Sequence, residues 1–367
     1  MTTRIVVVGA GLAGAATACH LARLGGCDVV VCEAEKEAGR HASGAAAGMV
    51  RQVVASPRMA EFASRSAREY AERAGERGGL RFTPSGSLLL GRRSDLADLL
   101  ASSGVPGATI MGPRDVHVEF DPIDPATELH AIATPTDGLI DVRSLLDHYL
   151  SEAERHGASV RYDSPVRDVR VAGGRVVGVE TDTESLAADV VVNAAGAWAA
   201  RLARLAGAEP LALSPRRRHV FVTAKDGSVD PGWPFVWDVE TEWYARPDGH
   251  SLWLSACDET PCEPEDLAVD EEARRSLVSK LRERAPDLAR MRLARTWAGL
   301  RTFASDGEFI IGWDRRLRGF LWVAGLGGHG VSASWAIGEE AARLFELGSS
   351  VTGEGCFAPS RATLRTP

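Results

Sequence analysis

The first apolar run of the chain, Ile5 to Val8, is β-branched and unbroken by polar residues, as in a strand buried on both faces. Gly9 to Gly14 interrupt it, and Ala15 to Leu24 then carries the spacing of a helix. A second run, Val29 to Cys32, ends in Glu33 and completes a strand, helix, strand unit of the parallel-sheet kind. From Ser56 to about Gly78 the pattern is amphipathic and charged, followed by a strand at Ser87 to Leu90 and a short helix at Ser94 to Ala101. DVRSLLDHYLSEAERHGASVRY reads as a helix running into a strand, and Val190 to Asn193 is another buried strand that returns the chain to the first sheet.

Four alternating segments follow, RHVFVTA, PFVWDV, EWYARP and SLWLSA, separated by Pro, Gly and Asp turns as in an antiparallel sheet. After a charged helix at Asp270 to Arg284, short strands lead through GLGGHG into a final helix. The pattern predicts an α/β fold: a Rossmann-type domain with a parallel sheet, and a second α+β domain with an antiparallel sheet. Both are discontinuous. The expected nucleotide domain takes residues 1–55, 140–205 and 295–348, the expected substrate domain takes 56–139 and 206–294, and 349–367 reads as an irregular tail.

Composition narrows the class. With 367 residues, 45% hydrophobic and 25% charged, the chain is neither disordered nor fibrous. A formal net charge of −8 without a long basic run argues against nucleic acid or an anionic membrane as partner, although a few buried arginines still suffice to draw in a small anion. Cys19, Cys27, Cys32, Cys257, Cys262 and Cys356 lack CxxC spacing and read as reduced thiols; no His/Cys pair follows CDETPC at zinc spacing, so no metal is expected. The apolar start has no basic leader region beyond Arg4 and is broken by glycines, and no window reaches transmembrane length, so a cytoplasmic location is expected.

Gly9, Gly11 and Gly14 form GxGxxG between the first strand and helix, where the tight turn, pyrophosphate approach and helix packing each exclude a side chain. Glu33 stands where a carboxylate accepts hydrogen bonds from an adenosine ribose, and an acid there disfavours a 2′-phosphate. This context leaves NAD and FAD open.

VVVGAGLAGAATACHLARLG, GRHASGAAAGMVR, VVNAAGAWA, TWAGLRTFASDGEFIIG and GFLWVAGLGGHGVSASWAIGE, in that order, resemble the D-amino-acid oxidase superfamily of flavoproteins. Within it the likeness is greatest to FAD-dependent D-arginine and D-amino-acid dehydrogenases. The resemblance implies FAD, with Gly9, Gly11, Leu12, Ala13, Gly14 and Glu33 on its ADP half. It also implies that His41 through Gly48, including Ser43, Gly44, Ala46 and Ala47, surround the pyrophosphate and flavin edge with Met49. Val166 would lie near the adenine, and Ala195, Gly196 and Trp198 beside the cofactor. Gly327, Gly328, His329, Gly330 and Val331 would open the last helix against the flavin. The cysteine by which sarcosine oxidases bond the flavin has no counterpart near Thr302 to Asp306, so the FAD is expected to be non-covalent.

On the substrate side the resemblance points to Arg218, Arg301 and Tyr244 as holders of a carboxylate, with Arg301 also near the cofactor. As residue types alone, Arg218 in a run of three arginines reads as a solvated strand end and Tyr244 as an ordinary strand residue. His329 permits acid, base or hydrogen-bond donor. Arg51 reads as a surface ion pair, with an anion contact the alternative. The implied activity is hydride removal from the carbon beside the nitrogen of an amino acid, giving an imine and then a 2-oxo acid and ammonia. D-Arginine dehydrogenases carry an acid where Ser85, Gly86 and Ser87 stand, a tyrosine near Val54 and a histidine near Met49, so a D-amino acid that is not basic is expected. The alternatives are an oxidase of glycine, sarcosine or another N-substituted amino acid, and a 2-hydroxy-acid oxidoreductase. Oxygen and a quinone are the acceptors considered.

Overall fold

The computed structural model describes residues 2–75, 79–265, 267–348, 355 and 357–364. Among these, six strands form one sheet in the order Ile310–Trp313, Phe320–Ala324, Val190–Asn193, Thr3–Val8, Cys27–Cys32, Ser159–Arg161. Neighbours are parallel except the outer pair, where Ile310–Trp313 runs against Phe320–Ala324. Ile5 and Val7 pack on one side with helices Leu12–Arg23, Val142–Arg155 and Gly330–Leu347. Val6 and Val8 pack on the other with helix Ala199–Ala206 and the three-stranded meander of residues 166–187. Burial on both faces explains why Ile5 to Val8 shows no alternation.

The first helix spans Leu12–Arg23, so it begins earlier than its apolar spacing suggests. Gly14 lies inside it, because a Cβ there would sit 1.9 Å from the Gly9 carbonyl oxygen.

Nine strands form the second sheet among the described residues. Its four expected antiparallel segments are Leu213–Thr223, Phe235–Asp238, Trp243–Asp248 and Ser251–Ser255. Alternation sorts their side chains. Phe221, Val236, Trp243, Ala245, Leu252 and Leu254 face a core shared with helix Glu271–Arg284 through Ala273, Leu277 and Leu281. The alternate positions, among them Arg218, Trp237 and Tyr244, lie on the opposite face, against the first domain.

Three boundaries depart from the sequence reading. Leu293–Ala304, expected in the nucleotide domain with the rest of 295–348, pairs with Leu213–Thr223 along nearly its whole length, and so carries Arg301 on the second sheet. Helix Pro57–Ala74, expected in the substrate domain, buries Met59, Phe62 and Tyr70 with the helices of the first sheet. Its amphipathic stripe shows that one face is covered but not by what. Within the expected tail, Phe357 and Leu364 are buried and Arg361 holds Asp306 at 2.6 and 2.8 Å, so part of it is packed structure. Cys356 lies outside the described residues, and no disulfide joins Cys19, Cys27, Cys32, Cys257 or Cys262 to one another. No helix among the described residues is long and apolar enough to cross a membrane.

Candidate active site

A cleft of about 480 Å³ opens along the carboxyl ends of the central strands. At its near end the chain turns between Val8 and Leu12. Gly9 has a φ of +103°, and a Cβ on it would lie 2.6 Å from the Ala194 carbonyl oxygen. Helix Leu12–Arg23 has no side-chain cap at Gly11; only the Leu12 N–H is taken, by Ser43 Oγ at 3.0 Å. Its first turn therefore presents N–H groups and a positive dipole end to the cleft, as a pyrophosphate requires.

Glu33 is buried, and its carboxylate accepts hydrogen bonds from the Ala10 N–H at 2.7 Å and the Glu35 N–H at 3.0 Å. Two main-chain donors thus fix the acid at the second strand's end, each oxygen keeping a lone pair for a ribose hydroxyl. The glycine turn, the uncapped helix and the oriented acid fit the adenosine diphosphate half of a dinucleotide.

Gly11, Leu12, Ala13, His41, Ser43, Ala46, Val166, Ala195, Gly196, Trp198, Gly327, Gly328, Gly330, Val331 and Arg301 all line this cleft with Gly9 and Glu33. Gly14, Gly44, Ala47, Gly48, Met49 and His329 do not, nor do Arg218 and Tyr244; the three glycines permit close main-chain contact. A Cβ on Gly44 would come within 2.5 Å of the Gly39 carbonyl oxygen, and one on Gly48 within 2.4 Å of that of Ile140. Arg40, Arg201, Glu265 and Thr302 line the cleft without having been singled out by the sequence reading. Glu265 accepts the Trp198 indole N–H at 3.0 Å, drawing its loop over the cleft wall.

At the far end the cleft meets the second sheet. Arg301 and Arg216 are register partners and share its cleft face with Arg218. The Arg301 guanidinium packs under Gly328, whose added Cβ would lie 2.7 Å from Arg301 Cδ, and donates to the Leu300 carbonyl at 2.9 Å. It has no carboxylate partner among the described residues. Arg218 is buried and is not a solvated strand end; it donates to Glu259 at 2.7 Å and to the Asp258 carbonyl at 2.9 Å. Tyr244 is buried beside Ala47 and Cys257, in a cluster that Met49, Trp237 and Trp253 complete. Its ring lies 5.1 Å from that of Trp237. Burial raises the pKa of the Tyr244 phenol, so it stays protonated.

His329 precedes the last helix, where Gly327 and Gly328 have φ of +52° and +90°. Burial, reinforced by Arg51, Arg301 and Arg218, lowers its pKa to about 3. Its imidazole is neutral at physiological pH and a poor proton acceptor.

Arg51 departs from the expected surface ion pair. It is half-buried, with its guanidinium carbon 4.1 Å from the Trp237 ring centroid and no carboxylate partner among the described residues. Burial lowers its pKa to about 10. Two residues that the sequence reading passed over position it: the Arg51 N–H donates to Ser332 Oγ at 2.9 Å, and the next N–H, of Gln52, donates to Asp137 at 3.1 Å. Asp137 also accepts from Gln52 Nε2 and Ser87 Oγ; burial nevertheless pushes its pKa up to about 7. Only the apolar context of QVV hinted at an inward-facing loop. No group of metal ligands occurs among the described residues.

The family model for FAD-dependent oxidoreductases, DAO, matches residues 4–344. Human mitochondrial sarcosine dehydrogenase is 27% identical over 93% of this chain, which spans 39% of that relative's length. Among solved structures, L-proline dehydrogenase from P. horikoshii superposes with a TM-score of 0.85 at 23% identity, covering 97% of this chain and 95% of that one. Glycine oxidase from Geobacillus kaustophilus gives 0.80 at 25% identity and 99% coverage of both. The glycine turn and oriented acid fit the ADP portion of FAD, and with a match across both domains the chain belongs to the DAO family of FAD-dependent oxidoreductases.

Proposed function

We propose that the protein oxidises the C–N bond of an amino acid whose carboxylate is held by Arg301 and Tyr244, beside Arg218. The observation that carries this reading is the Arg301 guanidinium: it reaches the cleft with no ion pair among the described residues, against the loop that opens the last helix. A planar, permanently charged fork suits a carboxylate, and the Tyr244 phenol adds a neutral donor. Arg218, already bound to Glu259, supplies field and rigidity more than a vacant hydrogen-bonding edge. Sarcosine dehydrogenase and glycine oxidase, named for N-methyl and primary amino acids, support the same class.

When bound, non-covalent FAD supplies the acceptor for a hydride. Arg301 and Tyr244 fix the α-carbon's orientation toward it. With its pKa near 3, His329 leaves the amine proton to solvent, and the amine reacts neutral with its lone pair forming the C=N bond as the hydride departs. Water then hydrolyses the imine to a 2-oxo acid and ammonia, or to an aldehyde and amine from an N-substituted glycine. Oxygen or a quinone completes the cycle. Among primary amino acids a non-basic D-amino acid is favoured, since Ser85, Gly86 and Ser87 replace the acid that the resemblance places there in D-arginine dehydrogenases, and the neighbouring Asp137 is spent on Ser87 and Gln52.

The test is anaerobic mixing of the holoprotein with amino acids and the matching 2-hydroxy acids while flavin absorbance is followed. Amino acids should bleach it; bleaching by hydroxy acids alone would overturn the reading.

A further inference from the structure

Resting on that reading, we infer that the substrate carries two carboxylates and that Arg51 binds the second. Arg51 packs on Trp237, whose ring lies 5.1 Å from that of Tyr244, and Tyr244 shares the inner face of the second sheet with Arg218 and Arg301; all three guanidinium groups also weigh on His329. Among the described residues, the acids around them leave two of the three unpaired. Glu259 accepts from Arg218 at 2.7 Å and from Arg216 at 2.8 Å, while Asp258 accepts from the His219 N–H at 2.9 Å and its ring at 2.7 Å. Asp137, on the Arg51 side, spends its oxygens on Gln52 and Ser87. Two half-buried guanidinium groups, Arg51 and Arg301, thus have no ion pair among the described residues. A monocarboxylate neutralises one of them. Leaving the other half-buried and unpaired costs desolvation without return.

The two groups also stand towards opposite ends of the sheet face that meets the first domain. Along the cleft face the strand order runs from that of Arg301 through those of Arg218, Ser255 and Tyr244 to that of Trp237. Four strand spacings, roughly 19 Å between backbones, separate the first from the last. Arg51 lies over the last, on Trp237, and Arg301 extends from the first. The strand of Tyr244 lies between them.

Arg51 is also held in place. Its main chain is tied to Ser332 on the last helix, and Trp237 covers one face of its guanidinium, leaving the N–H edge for an anion. An arginine stacked in this way is prepared for a carboxylate of fixed direction. The structure assigns Arg51 to the distal acid of a dicarboxylic amino acid, or of a secondary amine with an acid on each arm.

The experiment compares anaerobic flavin reduction of the holoprotein by D- and L-aspartate, D- and L-glutamate and symmetrical secondary-amine diacids with reduction by glycine, alanine and sarcosine. The expected preference for a diacid is about tenfold or more in kcat/KM, and Arg51→Met should lower that ratio to near unity, as loss of a buried charge contact does. Equal or better reduction by the monocarboxylates overturns this inference and leaves amine oxidation standing; failure of every amine overturns the reading beneath it. An Arg51→Met variant with altered flavin potential but an unchanged ratio also overturns it, making Arg51 a cofactor contact. If the variant does not fold, spectral titration of the wild-type holoprotein decides: succinate should perturb the flavin at about tenfold lower concentration than propionate, and equal affinities contradict the assignment.

Discussion

The near end of the cleft is made of main chain, the far end of side chains. Around Gly9, Gly11 and Gly14 the polar groups are N–H donors and one acid, Glu33, that two N–H groups hold. Around Tyr244 they are guanidinium groups delivered by strands and a loop far apart in sequence, steadied by Glu259, Trp237 and Ser332. A main-chain cradle accepts any ligand with the right phosphate geometry, which suits a cofactor common to many enzymes. A cage of arginines is set by which side chains each strand carries, and so can change its substrate while the cradle stays as it is.

The largest expected effect breaks the cradle. In Gly14→Ala the new Cβ meets the Gly9 carbonyl oxygen at 1.9 Å, so FAD content and thermal midpoint should both collapse. Gly11→Ala meets only Ser43 Oγ at 3.2 Å and should keep much of its yellow absorbance. Similar cofactor loss in the two variants would show that the cradle is not the rigid element. Arg301→Met addresses the cage: kcat/KM should fall by about 2–5 kcal/mol with FAD content retained, and parallel loss of FAD would merge the two regions into one.

Glu33→Gln should weaken FAD by about 1.5–3 kcal/mol, measured by apoprotein titration, while KM at saturating FAD stays unchanged. The last effect is on stability, not on cofactor or substrate. Asp137 has its pKa raised from 3.8 to about 7, so the folded state holds a proton that the unfolded chain has released. Its burial therefore costs stability above about pH 7, and the cost is relieved as pH falls towards 4. His20 and His329, lowered to about 3, act oppositely, and their cost appears as pH falls below 6.5. Asp137→Asn should gain about 2–3 kcal/mol relative to wild type between pH 5 and pH 8 in urea midpoints, and parallel profiles would contradict the shift.

The cradle was legible because its requirements are local: three glycines and an acid at fixed spacing follow from one strand, one turn and one helix. The parallel strand Val190–Asn193 and the alternating strands of the second sheet were legible for the same reason, since burial on one or two faces writes itself into consecutive residues. Arg218 and Tyr244 gained their meaning only from the resemblance, because nothing in RRRH or EWYARP separates a cleft-facing residue from a solvated one. Arg51 was misread. Its partner Trp237 lies far along the chain, and no local period shows that a loop arginine turns inward onto an aromatic ring. The placement of Leu293–Ala304 was missed because a strand's apolar pattern shows that it is covered but not which sheet it joins.

The most direct measurement is a crystal structure of the oxidised holoprotein soaked with a non-reactive carboxylic acid. The account predicts the carboxylate within hydrogen-bond distance of the Arg301 guanidinium and the Tyr244 hydroxyl, at the end of the cleft away from Glu33. A carboxylate bound elsewhere, with Arg301 turned out of the cavity, would contradict it.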